Sequence, residues 1–155
     1  MEQKTKIKAE EGKQELIITR EFSLPVESLF TAYKDKELFE KWMGTNLIDF
    51  EFKEYGKYHF ETRSPTGDLM FSGKGAFHSL IPNEMIVRTF EMDVFSLPPQ
   101  LEFLNFNAIT GEKSILTMHI IFKSAEIRNE LLKKPFAIGL EMAHSRLEDV
   151  LNKIN

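Results

Sequence analysis

Two side chains in this 155-residue chain stand where they could do chemistry: an arginine set among apolar strand residues and a histidine on a helix. Arg88 lies in the run Met85 to Met92, where alternation puts Ile86, Arg88, Phe90 and Met92 on one face. If that face is the concave one, a guanidinium points into an apolar space. It must then meet a carboxylate, backbone acceptors or a ligand anion, because burying it unpaired is too costly. An arginine at a cavity rim, or bound to a neighbouring acid, is the simpler alternative. His144 forms Glu-x-x-His with Glu141, half of the pattern seen in carboxylate-bridged di-iron helices. A metal needs several such ligands, so no metal and no cofactor are expected, and solvent or a helix neighbour accounts for a flank histidine. His59, His78 and His119 fall on three strands, with His59 opposite Lys74, and form no cluster.

Other reactive chemistry is thin. The chain has no cysteine, which removes thiolate nucleophiles, disulfides and cysteine-based zinc sites. Glu51, Glu61, Glu91 and Glu102 lie in alternating stretches where solvent exposure is the simplest expectation, and no Gly-x-Ser-x-Gly or glycine-rich phosphate loop is present. No catalytic residue is assigned. With 20 basic and 24 acidic residues the net charge is −4, so nucleic acid is not an expected partner. The charged start MEQKTKIKAEEGK lacks the apolar core of a secretory signal, and no run of roughly 18 apolar residues suggests a membrane span. A cytoplasmic location is expected. Fourteen of 18 aromatic residues are Phe, which adds apolar area without a polar tip and belongs in a core or an apolar pocket.

The elements that must position these groups follow from periodicity. Residues 5–9 and 14–22 are expected strands joined at Glu11-Gly12; in the second, Leu16, Ile18 and Arg20 alternate with Ile17, Thr19 and Glu21. From Pro25 the spacing of Val26, Leu29, Phe30 and Tyr33 is helical, and a second short helix starts at Asp35, carries Trp42 and ends at Gly44. Trp42 either gates a cavity mouth or anchors its helix to the core. From Leu47 to Lys123 the chain alternates between turns at Tyr55-Gly56, Pro65 to Asp68, Pro82-Asn83, Pro98-Pro99 and Thr110-Gly111, read as a meander of five further strands. The Pro65–Asp68 turn puts Phe60 opposite Gly73 and Tyr58 opposite Gly75, which lets a sheet bend. Ser124 to Leu132 is a short amphipathic segment. From about Pro135 to Ile154, Phe136, Leu140, Ala143, Leu147, Val150, Leu151 and Ile154 form one apolar stripe, with Glu141, Ser145, Glu148, Asp149 and Asn152 on the wetted side.

Several local patterns, in this order, resemble the START-like superfamily. Arg20-Glu21-Phe22-Ser23-Leu24-Pro25 followed by Leu29-Phe30 and Ala32 is similar to its opening, and Asp35, Glu37-Leu38 and Trp42 resemble its Asp-Pro-Glu-Leu, Trp segment with Lys36 for proline. Tyr55-Gly56-Lys57-Tyr58 looks like its Gly-Gly-x-aromatic turn with one glycine replaced. Gly75 through Val87 resembles its long strand and hairpin, with Ser79, Asn83 and Met85 replacing the usual glutamate, proline and arginine. The closing helix, Gly139 with Ser145 to Leu151, is similar as well. Within that superfamily the chain resembles the bacterial relatives of the activator of the ninety-kilodalton heat-shock protein ATPase.

The resemblance implies an α+β helix-grip fold: a curved antiparallel sheet of six to seven strands wrapped around a long C-terminal helix, with two short helices after the first long strand. Residues 1–155 are expected to form one domain, whose first dozen residues are an edge hairpin or mobile. It also implies an apolar cavity between helix and sheet, for which the candidates are Trp42, Tyr58, Phe60, Phe71, Arg88, Phe90, Met118, Leu140 and His144. The expected activity is binding of an apolar or amphipathic small molecule, lipid-like or polyketide-like. The alternatives are a cyclase or hydrolase using Arg88 or His144, and a co-chaperone stimulating a heat-shock ATPase. Function on a shared fold is set by the site.

Overall fold

Alternation along the chain translates directly into burial. In Glu15–Phe22, the in-phase residues Leu16, Ile18, Arg20 and Phe22 are all buried, one of them a charged arginine. The computed structural model describes residues 4–93 and 96–154; Met1 to Gln3, Val94, Phe95 and Asn155, part of the expected 1–155 unit, lie outside the described residues. The strands are β1 (Lys6–Lys8), β2 (Glu15–Phe22), β3 (Asn46–Phe50), β4 (Lys57–Arg63), β5 (Leu69–Ile81), β6 (Met85–Met92), β7 (Gln100–Ala108) and β8 (Ser114–Ile121). The helices are α1 (Val26–Lys34), α2 (Lys36–Met43), α3 (Ala125–Leu132) and α4 (Phe136–Ile154).

Among the described residues the eight strands form one antiparallel sheet in the order β1-β2-β8-β7-β6-β5-β4-β3, open between its two edges. This is one strand more than the upper expectation, because five turns divide residues 47–123 into six strands and not five. β1 is a short edge strand, with Lys6 opposite Thr19. The sheet curves around α4 in the expected helix-grip arrangement. The expected register holds: Phe60 faces Gly73, Tyr58 faces Gly75 and His59 faces Lys74. A Cβ on Gly75 would lie 2.0 Å from the Thr89 carbonyl oxygen. The missing side chain allows the close approach in which the Tyr58 hydroxyl donates to that oxygen at 2.6 Å.

The helices start and stop where local chemistry says they should. Asp35 caps α2 by accepting from the Leu38 N–H at 3.0 Å, and Gly44 closes it at a left-handed φ of 66°. Ser124 caps α3, accepting from Ile127 N–H at 3.2 Å. Along α4, Leu147 and Leu151 are fully buried on the sheet, whereas Phe136 and Leu140 are half-buried. Ile154, expected in the stripe, is 60% exposed, since the helix runs past the sheet at its last turn. Among the described residues no helix is long and apolar enough to cross a membrane.

Candidate functional site: a cavity beneath the last helix

The first half of α4 is too slim to fill the space it covers. Gly139 and Ala143 face the sheet where Leu147 and Leu151 do so one and two turns later, and a Cβ on Gly139 would meet nothing within 4 Å. A cavity of about 300 Å³ survives there. All nine candidates from the sequence line it. Tyr58 and Phe60 come from β4, Phe71 from β5, Arg88 and Phe90 from β6 and Met118 from β8, while Trp42 closes α2 and Leu140 and His144 come from α4. Lining residues at the start of α4 reach the surface: Pro135 and Gly139 are exposed and Phe136 is half-buried. The opening therefore lies at the α3–α4 junction.

Trp42 is an anchor by its contacts. It is buried, its indole N–H donates to the Ala32 carbonyl at 2.8 Å, and its ring packs against Tyr33 and Phe39 at 5.1 and 5.3 Å. Its own carbonyl accepts from Arg146 Nε at 2.9 Å, tying α2 to α4.

A polar network interrupts the apolar wall. Arg88 Nε donates to Glu102 Oε1 at 2.9 Å, and Glu102 Oε2 accepts from Gln100 Nε2 at 2.7 Å. Glu102 is buried, which corrects its expected exposure: Gln100, Glu102, Leu104 and Phe106 are in phase on the inner face of β7. The Arg88 side chain keeps 13% of its surface free, and among the described residues no protein acceptor meets its Nη1 or Nη2. Its guanidinium lies 5.5 and 5.9 Å from the ring centroids of Tyr58 and Tyr33. Burial works against the charge, but the Glu102 carboxylate hydrogen-bonded to it holds the arginine protonated. Burial likewise pushes the Tyr33 and Tyr58 phenols well up, so both stay neutral.

A second cluster stands behind the cavity's other wall and went unread in the sequence. Arg20 is 1% exposed; its Nη1 donates to Glu141 Oε2 at 3.1 Å and to Thr5 Oγ1 at 3.2 Å, and Nη2 lies 4.0 Å from Glu148. Glu141 and Glu148, expected on the wetted side of α4, instead turn toward the N-terminal strands. Glu141 accepts from the Lys4 and Thr5 backbone N–H groups at 3.0 and 2.8 Å. Burial opposes its charge, but these bonds and Arg20 hold the carboxyl down at about 2. His144 is 1% exposed, with Nδ1 2.8 Å from Thr5 Oγ1 and its ring edge-on to Phe22. Burial, and then the Arg20 charge, depress it to about 4 against a smaller pull from Glu141. His59, His78 and His119 pair instead with Ser72, Ser79 and Glu15, and among the described residues no group could hold a metal ion. The half-motif Glu141-x-x-His144 is spent on Thr5 and Arg20.

Known proteins place this architecture. No curated protein matches the chain. Among solved structures it is similar to Ms6760 of Mycobacterium smegmatis, at 20% identity and TM-score 0.83 over 95% of this chain and 96% of that one. A Rhodobacter sphaeroides protein matches at 20% identity and TM-score 0.85, over 96% and 99% of the two chains. A Staphylococcus epidermidis protein matches at 23% and 0.78, over 96% and 94%. Likeness at this level establishes the fold alone. Residues 23–152 match the family described as Activator of Hsp90 ATPase homolog 1-like protein. With that match spanning both short helices, the meander and nearly all of α4, the chain belongs to the Activator of Hsp90 ATPase homolog 1-like family.

Proposed function

We propose that the protein binds a compact apolar or amphipathic molecule, lipid-like or polyketide-like, between α4 and the sheet, with an oxygen-bearing group of that molecule held at Arg88. The observation that supports this reading is an oily hollow whose buried arginine is only half satisfied by protein: among the described residues Glu102 takes Nε and no acceptor meets the terminal nitrogens. Phe60, Phe90, Met118 and Leu140 supply apolar contact, and His144 a second polar point. A volume of about 300 Å³ is at the low end of small-molecule sites, roughly 300–1,000 Å³. This favours one short chain or a few fused rings over a two-tailed lipid. The lack of cysteine fits action in the reducing cytoplasm.

Native mass spectrometry of the gently purified protein, with decanoate added where no adduct copurifies, tests the reading. A one-to-one adduct that disappears in Ala143→Phe, whose ring would occupy the hollow, is the expected result. No adduct at saturating decanoate, or one indifferent to Ala143→Phe, counts against it.

An enzymatic reading draws on the same wall, because Arg88 and His144 both reach the cavity and His144 is held neutral. It requires turnover that disappears with His144→Phe; a polyketide-like probe bound and released unchanged removes it. Family membership supports a third reading, in which the outer surface stimulates a heat-shock ATPase. Unchanged ATP turnover of the chaperone at saturating protein removes that one.

A further inference from the structure

Two hydrogen-bond donors of the cavity wall have no protein partner and yet are not sealed in. Among the described residues, the unpartnered side-chain atoms closed to a water-sized group are Arg20 Nε and His144 Nε2 alone. No hydrogen bond meets the Tyr33 hydroxyl or the Arg88 terminal nitrogens either, and both residues line the cavity. Since Tyr33 is 3% exposed and the Arg88 side chain 13%, the space these donors open onto is the hollow. Tyr33 comes from α1, its ring held between Trp42 at 5.1 Å and Phe106 at 5.5 Å. The guanidinium carbon lies 5.9 Å from that ring's centroid, so both donors serve one stretch of wall. Burial keeps the Tyr33 proton in place, whereas the neighbouring Tyr58 hydroxyl is already spent on the Thr89 carbonyl.

Charge decides what the open donors take. Among the described residues Arg88 and Glu102 are the charged side chains inside the hollow, and they cancel each other. Lys134 stands half-buried at the mouth, where water and salt screen its charge. A neutral acceptor gains hydrogen bonds and leaves the inner balance intact. A carboxylate brings a net negative charge into an apolar interior beside Glu102, and loses its hydration without a cation of its own. We infer that Tyr33 and Arg88 together grip one uncharged carbonyl group, that of a ketone, ester or amide, and that Glu102 makes the same place disfavour a carboxylate. This rests on the cavity-binding reading and narrows its ligand class: the occupant is neutral where it meets Arg88, and a fatty acid enters only at high concentration. Tyr33 touches the ligand, while Glu102 acts through Arg88 and sets the charge of what binds.

Three naphthalenes of one shape test it: the β-substituted acetylnaphthalene, naphthoate and isopropylnaphthalene, which carry a ketone, a carboxylate and a hydrocarbon branch at the same ring position. Their dissociation constants are measured at neutral pH for the wild type, Tyr33→Phe and Glu102→Gln. The wild type is expected to hold the ketone about tenfold or more tighter than either of the others, the worth of a hydrogen bond from a charged donor. Tyr33→Phe cuts the ketone's advantage over the hydrocarbon by about three- to tenfold, one neutral hydrogen bond. The hydrocarbon binds as before and the urea midpoint holds, a split that a merely structural tyrosine would not give. Glu102→Gln keeps an acceptor for Arg88 Nε but leaves its charge unbalanced, and reverses the order of ketone and carboxylate. Naphthoate that matches the ketone in the wild type, or a ketone advantage untouched by Tyr33→Phe, overturns the inference; these two results decide should Glu102→Gln fail to fold. An unchanged order in folded Glu102→Gln overturns the part given to Glu102. Equal binding of ketone and hydrocarbon removes the inference and leaves binding in the hollow standing. Binding of none of the three removes both.

Discussion

Removing either partner of the Arg88–Glu102 pair should cost far more than removing both. The pair is close at 2.9 Å, its side chains are only 13% and 4% exposed, and Gln100 takes the second carboxylate oxygen. Arg88→Met leaves a carboxylate in an apolar wall with one amide for company. Glu102→Leu leaves a guanidinium that cannot shed its proton. Each should lose about 3–5 kcal/mol, the usual result of stranding one buried charge. The double variant strands neither. An apolar replacement for a buried pair ranges from neutral to stabilising, and the acceptor lost by Gln100 subtracts about 1 kcal/mol. The double variant should therefore unfold within about 1 kcal/mol of the wild type, which makes the coupling between the two sites about 5 kcal/mol or more. Urea titration followed by the fluorescence of Trp42, the single tryptophan and itself in the cavity wall, measures all four proteins. Decanoate should rescue Glu102→Leu in particular, by supplying the missing carboxylate. A double variant that loses the sum of the two single losses would refute the claim that the two charges are held only by each other.

Acid should destabilise the protein in two stages. His144 is depressed from 6.5 to about 4, so the unfolded chain takes up a proton near pH 6.5 that the folded one refuses; the contribution is complete above pH 6.5 and is lost as pH falls toward 4, by about 3 kcal/mol at most. Glu141, held at about 2 against an ordinary 4.5, adds a further loss below pH 4.5; a urea midpoint level from pH 7 to 4 would contradict the first stage, and one level from pH 4.5 to 2 the second. Gly75→Ala should destabilise more than Gly73→Ala. The first Cβ meets the Thr89 backbone oxygen at 2.0 Å, while the second meets Phe90 and Phe60 ring atoms at 2.5 and 2.7 Å, and Phe90 can swing into the cavity at a cost of about 1–3 kcal/mol. Thermal melts that rank the two glycines the other way would count against the account of the sheet's bend.

Most of the frame was legible because it rests on local chemistry. Asp35, Gly44 and Ser124 mark helix ends through bonds to residues within a few positions, and the Pro65–Asp68 turn fixes the β4–β5 register. The Arg88 face was legible by alternation alone. Its partner was not, because Glu102 comes opposite Arg88 only once the connection between β6 and β7 sets the register. The signal was present all the same: Gln100 and Glu102 keep phase with Leu104 and Phe106, as Arg20 does with Leu16, Ile18 and Phe22. A polar residue in step with an apolar alternation is buried and must have a partner. What no local pattern could supply was the partner itself, since Arg20 and Glu141 stand 121 residues apart. Glu141 reads as a wetted helix residue until the N-terminal segment is laid against it.

The central claim is that a guest fits inside the molecule, and intermolecular nuclear Overhauser contacts from fluorene to the protein's methyl groups test it most directly. The account predicts contacts to Ile18, Met118, Ile120 and Leu140, all lining the cavity. Contacts confined to the exposed Ile138 and Met142 on the outer face of α4, with none to those four, would contradict it.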